Sequence, residues 1–181
     1  MAEDNEENIE ILTVDTFNDI LSKLVGLSIT STTRTGNMEC IKVNTNKDEG
    51  SAVIGDDDKY ALHIQCAWRI TDEKKILIGW SDVYNSATST EYEPDFVWDK
   101  IDGNKRDVNL KKLIADNDLV INDAKVDTYG GFKISFTNKM NFEAFADESY
   151  DSYCEFWRLV DNDPENSCHY VSTPEEMYRV K

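Results

Sequence analysis

The residues whose types and spacing could carry chemistry lie on one predicted strand, YALHIQCAWRIT. His63, Gln65 and Arg69 occupy alternating positions of this segment, so an extended strand places them on one face. An imidazole, an amide and a guanidinium on one face could grip a carboxylate or another anionic group. The alternative interpretation is a polar outer face that only pairs with neighbouring strands.

Two further charged residues, Asp82 and Arg158, fall on predicted apolar faces. Asp82 follows Ile78 and Trp80 on one face of KILIGWSDVY, and Arg158 lies within EFWRLV. A buried charge without a partner is costly, so we expect Asp82 to contact either Arg158 or Arg69. The alternative places Asp82 at the end of the strand, where the chain leaves the sheet.

The sequence lacks the established catalytic and metal-binding signatures. It contains no G-x-S-x-G elbow, no G-x-x-x-x-G-K phosphate loop and no H-E-x-x-H pair. The spacing of Asp56-Asp57-Asp58 does not fit a calcium loop and predicts a solvated loop. No C-x-x-C pair occurs among the cysteines, which are Cys40, Cys66, Cys154 and Cys168. We therefore predict no metal and no cofactor, and favour a protein that is not an enzyme.

The net charge narrows the choice of partner. The chain carries 36 acidic and 19 basic residues, for a net charge of -17. Nucleic-acid binding draws on clustered Lys and Arg, so this composition argues against nucleic acid and against anionic membranes. It favours a basic protein partner. The acidic start lacks a secretory signal, no apolar run reaches the roughly 20 residues of a membrane span, and we expect a cytoplasmic protein with reduced thiols.

The pattern of the whole chain predicts one domain over residues 1–181, with a frayed acidic tail over 1–10. A helix is expected from Thr16 to Gly26, because Phe17, Ile20, Leu21 and Leu24 form one apolar stripe. Asp107 is expected to cap a second, short helix near 108–116.

The remaining segments predict antiparallel strands. Hairpin turns are expected at 35–37 and 72–74, and a C-terminal meander is expected to turn at 130–131 and 138–139. Residues 46–59 predict a loop, and Thr173–Glu176 a final capped helical turn. The predicted fold class is α+β and mainly β: a twisted or strongly curved antiparallel sheet with the N-terminal helix packed on one face.

The segments LHIQCAWRI and ILIGWSDVY resemble a sequence pattern found in other proteins. They are similar to a group of small uncharacterised bacterial proteins with an H-x-x-C/S-x-W-R strand followed by a G-x-x-D strand. The later segments 126–136, 142–145 and 155–158 resemble the same group. Genes for small acidic proteins of this kind are sometimes companions of toxin genes, so the resemblance implies an immunity role.

Three functions remain open on the sequence. The preferred one is a non-catalytic module that binds another protein, with neutralisation of a basic toxin as its specific form. The second is a small-ligand site or an enzyme that uses a groove around His63, Gln65 and Arg69. The third is a structural subunit of an oligomer, and the sequence does not fix the oligomeric state.

Overall fold

The computed structural model describes residues 8–44, 58–91 and 93–181. These residues form two α-helices, two short 3-10 helices and twelve strands. The helices are α1 (Val14–Leu21) and α2 (Lys105–Asp116), and the 3-10 helices are Ser22–Leu24 and Trp80–Tyr84. The strands are β1 (Ile9–Ile11), β2 (Ser28–Thr35), β3 (Met38–Asn44), β4 (Tyr60–Ile64), β5 (Ala67–Thr71), β6 (Ile76–Gly79), β7 (Ile121–Val126), β8 (Phe132–Phe136), β9 (Asn141–Phe145), β10 (Trp157–Asp161), β11 (Cys168–Ser172) and β12 (Met177–Val180).

The strands divide between two antiparallel sheets. The larger sheet has the order β1-β12-β11-β10-β4-β3-β2, and the smaller has the order β6-β5-β9-β8-β7. The predicted fold class, α+β and mainly β with antiparallel strands, is confirmed. The two sheets also meet where β2 and β7 begin, because Ile29 N–H donates to Leu119 O and Ile121 N–H donates to Leu27 O.

A bend separates β4 from β5, which the sequence predicts as one strand. The backbone N–H groups of Gln65 and Cys66 both donate to the carbonyl oxygen of Phe156, at 2.8 and 3.1 Å. Two residues then oppose one, and such a bulge redirects a strand. The predicted inward side chains nevertheless stay buried on both sides of the bend: Leu62, Ile64, Cys66, Trp68 and Ile70.

The helix α1 closes one end of the core. The ring of Phe17 meets Trp157 and Tyr170 edge-on, with centroid distances of 5.3 and 6.4 Å. The ring of Trp157 meets Phe132 at 5.0 Å, so aromatic side chains from both sheets and from α1 share one cluster. Asn18 of α1 also accepts the N–H of Val126 in β7 at 2.8 Å, so the N-terminal helix, expected on one face of a single sheet, contacts both sheets.

Both helices begin earlier than their predicted caps. Thr13 caps α1, since its hydroxyl accepts the N–H of Thr16 at 3.1 Å. Asn104 caps α2, since its side chain accepts the N–H of Asp107 at 2.9 Å. The second helix lies where it is expected. Since Asp107 is not the cap, its carboxylate binds other groups, which are described below.

Three local predictions need correction. Residues 9 and 10 belong to β1 rather than to a tail, because β1 pairs with β12. Residues 173–176 form the turn between β11 and β12 rather than a helical turn. The strand predicted from Lys75 to Tyr84 ends at Gly79, where a 3-10 helix begins. Most of the predicted loop 46–59, with Asp56 and Asp57, lies outside the described residues.

Gly130 occupies a turn that no larger residue should tolerate. Its φ is +89°, and a Cβ there would lie 2.6 Å from Ser172 Oγ. Its carbonyl accepts hydrogen bonds from Trp157 Nε1 and from Ser172 Oγ, so the turn cannot move freely. We expect Gly130→Ala to lower the free energy of unfolding by about 2 kcal/mol, from backbone strain and overpacking.

Gly36→Ala is the matched control for this prediction. Gly36 also has a positive φ, of +57°, but nothing lies within 4 Å of the position that a Cβ would occupy. Only backbone strain applies, so a loss of about 1 kcal/mol is expected. Denaturant unfolding of both variants measures the difference. Equal losses of stability in the two variants would show that the close contact between the added methyl group and Ser172 does not destabilise the protein.

Candidate functional site

A cleft of about 620 Å³ opens where four connections meet at one end of the sheets. These are the junction of β1 with α1, the β7–β8 turn, the segment after β9 and the β11–β12 turn. We call it the acidic cleft. Its lining residues are Ile11, Leu12, Thr13, Val14, Thr128, Tyr129, Gly130, Ala146, Glu148, Tyr150, Phe156, Thr173, Pro174, Glu175, Glu176 and Met177.

Carboxylates and tyrosine rings dominate the polar part of the acidic cleft. Glu148, Glu175 and Glu176 are exposed, and no Lys, Arg or His occurs among the described residues that line it. Tyr129 and Tyr150 are 81% and 75% exposed. Exposed tyrosines beside carboxylates can hold a cation through both the ring face and the negative charge.

Side-chain hydrogen bonds fix two of the turns that shape the acidic cleft. Asp127 Oδ1 accepts the N–H groups of Tyr129 and Gly131, at 2.8 and 3.1 Å, and so sets the turn that presents Tyr129. Thr173 Oγ1 accepts the N–H of Glu176 at 3.2 Å and donates to its carbonyl at 2.9 Å. The cleft rim therefore has a defined backbone at both turns.

Sequence reasoning missed the acidic cleft, although a signal was present. The segment from Ala146 to Glu155 contains four acids and two tyrosines and no basic residue. Acidic residues and tyrosines are therefore more frequent in this segment than in the chain as a whole. The segment carries Glu148 and Tyr150 into the cleft, and Tyr153 is fully exposed beyond it.

The predicted row of His63, Gln65 and Arg69 does not stay on one sheet. His63 lies on β4 of the larger sheet, Gln65 is exposed at the bend, and Arg69 lies on β5 of the smaller sheet. Arg69 Nε donates to Glu143 at 2.9 Å. None of the three lines either of the two cavities described in this section.

The structure instead brings His63 together with Arg158. The two residues are direct cross-strand partners on β4 and β10. Arg158 donates to both carboxylate oxygens of Glu155 and lies 2.9 Å from Nδ1 of His169. Burial, followed by the positive charge of Arg158, lowers the pKa of His63.

Asp82 has a local structural role. Its carboxylate accepts the N–H of Gly79 at 2.9 Å and caps the 3-10 helix that follows β6. This corresponds to the alternative in which Asp82 stands where the chain leaves the sheet. The hydrogen bonds described for Arg69 and Arg158 run to Glu143 and Glu155 rather than to Asp82.

A buried ionic cluster joins the β2–β3 hairpin to α2. Arg34 Nε donates to Asp107 Oδ1 at 2.8 Å, and Arg106 Nε lies 3.3 Å from Glu39 Oε2. The hydroxyl of Thr32 donates to the other oxygen of Glu39. Burial raises the pKa of Glu39 to about 7, against the lowering effects of Thr32 and Arg106.

The surroundings of the buried ionic cluster indicate a structural role. A smaller cavity of about 220 Å³ borders it and is lined in part by Arg34, Glu39 and Asp107. The guanidinium of Arg106 also donates to Asn37 Oδ1 and to Trp80 O. These bonds tie the hairpin and the 3-10 helix to α2.

Comparisons with known proteins give no relative. No family model, no curated protein and no solved structure matches the chain. The resemblance of the hairpin motifs to small bacterial proteins gains no support from them. Within the described residues, no group of three or more His, Cys, Asp or Glu is arranged to hold a metal ion. None of the described helices has the length and apolar character needed to span a bilayer.

Proposed function

We propose that this protein binds a basic segment of another protein in the acidic cleft. One observation carries the proposal: the described lining residues combine three glutamates with two exposed tyrosines and include no basic group. A lysine or arginine side chain entering the cleft meets only favourable charges. Tyrosine is also among the residues enriched in protein interfaces.

Size and charge support the same role. The cleft volume of about 620 Å³ lies within the range of about 300–1,000 Å³ that is typical of ligand sites. The net charge of -17 attracts a basic partner over distance and speeds its encounter, most strongly at low salt. The apolar floor, which includes Phe156 and Met177, offers contact to the aliphatic stems of lysine and arginine.

An immunity protein that holds a basic toxin is the specific form of this proposal, and an adjacent toxin gene would support it. We place the binding in the cytoplasm. The four cysteines are free thiols, which supports a reducing compartment.

Charge reversal in the cleft tests the proposed function. We expect the combined variant Glu148→Lys, Glu175→Lys and Glu176→Lys to lose the proteins that the wild type retains from cell lysate at low and moderate salt. The reason is that three lysines replace every carboxylate of the described cleft lining. Affinity purification with quantitative mass spectrometry measures the loss.

The matched control carries the same charge change away from the cleft. Glu91→Lys, Asp95→Lys and Asp116→Lys replace three exposed acids that do not line it. This control should retain the same proteins as the wild type. Retention by the cleft variant, or equal loss in both variants, would count against the cleft as the binding site. If the wild type retains nothing at either salt, the proposed function itself is wrong.

A further inference from the structure

The strand β1 forms one end of the larger sheet, and among the described strands only β12 pairs with it. We call the side of β1 that faces away from β12 the open edge. The other strands at sheet ends have neighbours: β2 and β7 bond to each other where they begin, and β6 contacts α2. All three residues of β1 are exposed, so an added strand has access to the open edge.

The register of β1 shows which backbone groups point to the open edge. Leu12 N–H donates to Met177 O at 2.8 Å. Hydrogen-bonded pairs alternate along antiparallel strands, so Glu10, two residues earlier, also turns its N–H and C=O toward β12. Ile9 and Ile11 therefore direct their N–H and C=O groups to the open edge. These four groups form a template for main-chain hydrogen bonds to an added strand.

The side chains of β1 are apolar on one face of the sheet and acidic on the other. Ile9 and Ile11 share one face and are 54% and 57% exposed. Glu10 lies on the opposite face, where it pairs with Arg179. Ile11 also lines the acidic cleft, so the open edge leads into it. A strand added here contacts isoleucine side chains on one face and reaches carboxylates at its end.

We propose that the basic segment of the partner binds as an extended strand along the open edge and continues into the acidic cleft. This inference rests on the proposed function and adds the conformation and the sequence pattern of the bound segment. Its residues opposite Ile9 and Ile11 are apolar or β-branched, because cross-strand pairs of such side chains stabilise a sheet. Its residues beyond Ile11 are lysine or arginine, because they enter the acidic cleft.

Charge favours a basic partner over a second copy of this chain at the open edge. Residues 1–22 contain seven acids and neither Lys nor Arg. Pairing of two β1 strands would bring two such segments side by side, and like charges across a strand pair are destabilising. A basic strand brings the opposite charge to the same segment.

Hydrogen exchange of the backbone amides, followed by NMR, tests the open edge. In the free protein, the amides of Ile9 and Ile11 should exchange faster than that of Glu10, which points to β12. If both amides are already protected, the edge is occupied by the chain itself and the proposal is wrong. If they become protected only as the protein concentration rises, the occupant is a second copy, which also overturns the proposal.

A synthetic peptide of alternating valine and lysine is the probe for the occupant. Its control has the same sequence with N-methylated backbone amides, which keep the charge but cannot donate to a strand. The probe should slow exchange at Ile9 and Ile11, and the control should not. Equal effects of the two peptides, or no effect of either, would contradict strand addition.

Proline at the open edge gives the matched comparison. Ile9→Pro removes an N–H that points away from β12, so it should leave the larger sheet intact and weaken binding of the probe at least about tenfold. Ile9→Ala removes the side chain but keeps the N–H, and should weaken binding at most about fivefold. Fluorescence anisotropy of the labelled probe at low and moderate salt measures the affinities.

The charge-reversal variant of the acidic cleft separates this inference from the proposed function. If that variant loses the probe whereas folded Ile9→Pro binds it as the wild type does, only the strand addition is wrong. If Ile9→Pro alone loses the probe, the strand binds without the cleft, which contradicts both its continuation into the cleft and the proposed function. Wild-type affinity in both variants would overturn both proposals.

Discussion

Replacing Arg106 by methionine is expected to lower the free energy of unfolding by about 3–5 kcal/mol at about pH 8. Arg106 is fully buried and lies 3.3 Å from Glu39, which is also buried. Methionine fills much of the same volume but leaves Glu39 without its cation, so the buried carboxylate must either stay charged without a partner or take up a proton. The variant also removes the donors to Asn37 and to Trp80 O, which connect the hairpin and the 3-10 helix to α2.

A second substitution separates the lost ion pair from lost packing. In the double variant Arg106→Met and Glu39→Met, no buried charge is left behind at this pair, so a large part of the stability should return. Arg69→Met is the control at a pair that is only partly buried, that of Arg69 with Glu143, and its cost should stay below about 1 kcal/mol. Denaturant unfolding of all variants measures these differences. A double variant no more stable than Arg106→Met alone would show that the pair itself is not responsible.

Glu39 should also make stability depend on pH in a direction unusual for a carboxyl group. Its pKa is about 7 in the folded protein and 4.5 as a free side chain. The folded state therefore holds a proton that the unfolded state has already lost between these pH values. The contribution of Glu39 is fully present below pH 4.5 and is lost as the pH rises to about 7. The change amounts to about 3 kcal/mol.

Glu39→Gln isolates this contribution, since glutamine does not titrate. The wild type should lose about 3 kcal/mol of stability relative to Glu39→Gln as the pH rises through this range. The altered contact with Arg106 changes the stability of the variant by the same amount at every pH, so it does not affect the comparison of the two pH dependences. Urea unfolding of both proteins across the range measures it. A stability difference that stays flat with pH would mean that Glu39 titrates normally when folded.

Local patterns in the sequence predict most of the strands, but neither β1 nor β12 and not the assignment of the strands to two sheets. Alternation identifies the buried side chains from Leu62 to Ile70 correctly, because that periodicity depends only on the extended backbone. The bend inside the same segment depends on the carbonyl of Phe156, which lies far along the chain. No local pattern carries that information. For this reason the three residues predicted to form one row, His63, Gln65 and Arg69, do not lie on one sheet.

The buried ionic cluster was missed because its members look like surface residues. Arg34 and Glu39 lie on inward positions of β2 and β3, but a charged residue at such a position resembles an interruption of the pattern rather than a core residue. Their partners come from α2, and only the tertiary fold brings Arg106 and Asp107 to them. His63 and Arg158 were singled out separately in the sequence, and only the strand order makes them cross-strand partners.

The pairing of β4 with β10 brings together two strands that lie far apart in the sequence, and this affects the entropy cost of folding. Ile64 pairs with Trp157, and the whole smaller sheet lies between them in sequence, from Ala67 to Phe145. The cost of closing a chain segment grows with its length. Since Ala67 pairs with Phe145, a formed smaller sheet already holds β4 near residue 145. The pairing of β4 with β10 then needs only the short connection 146–156 to close, so a formed smaller sheet lowers the conformational entropy that this pairing must lose.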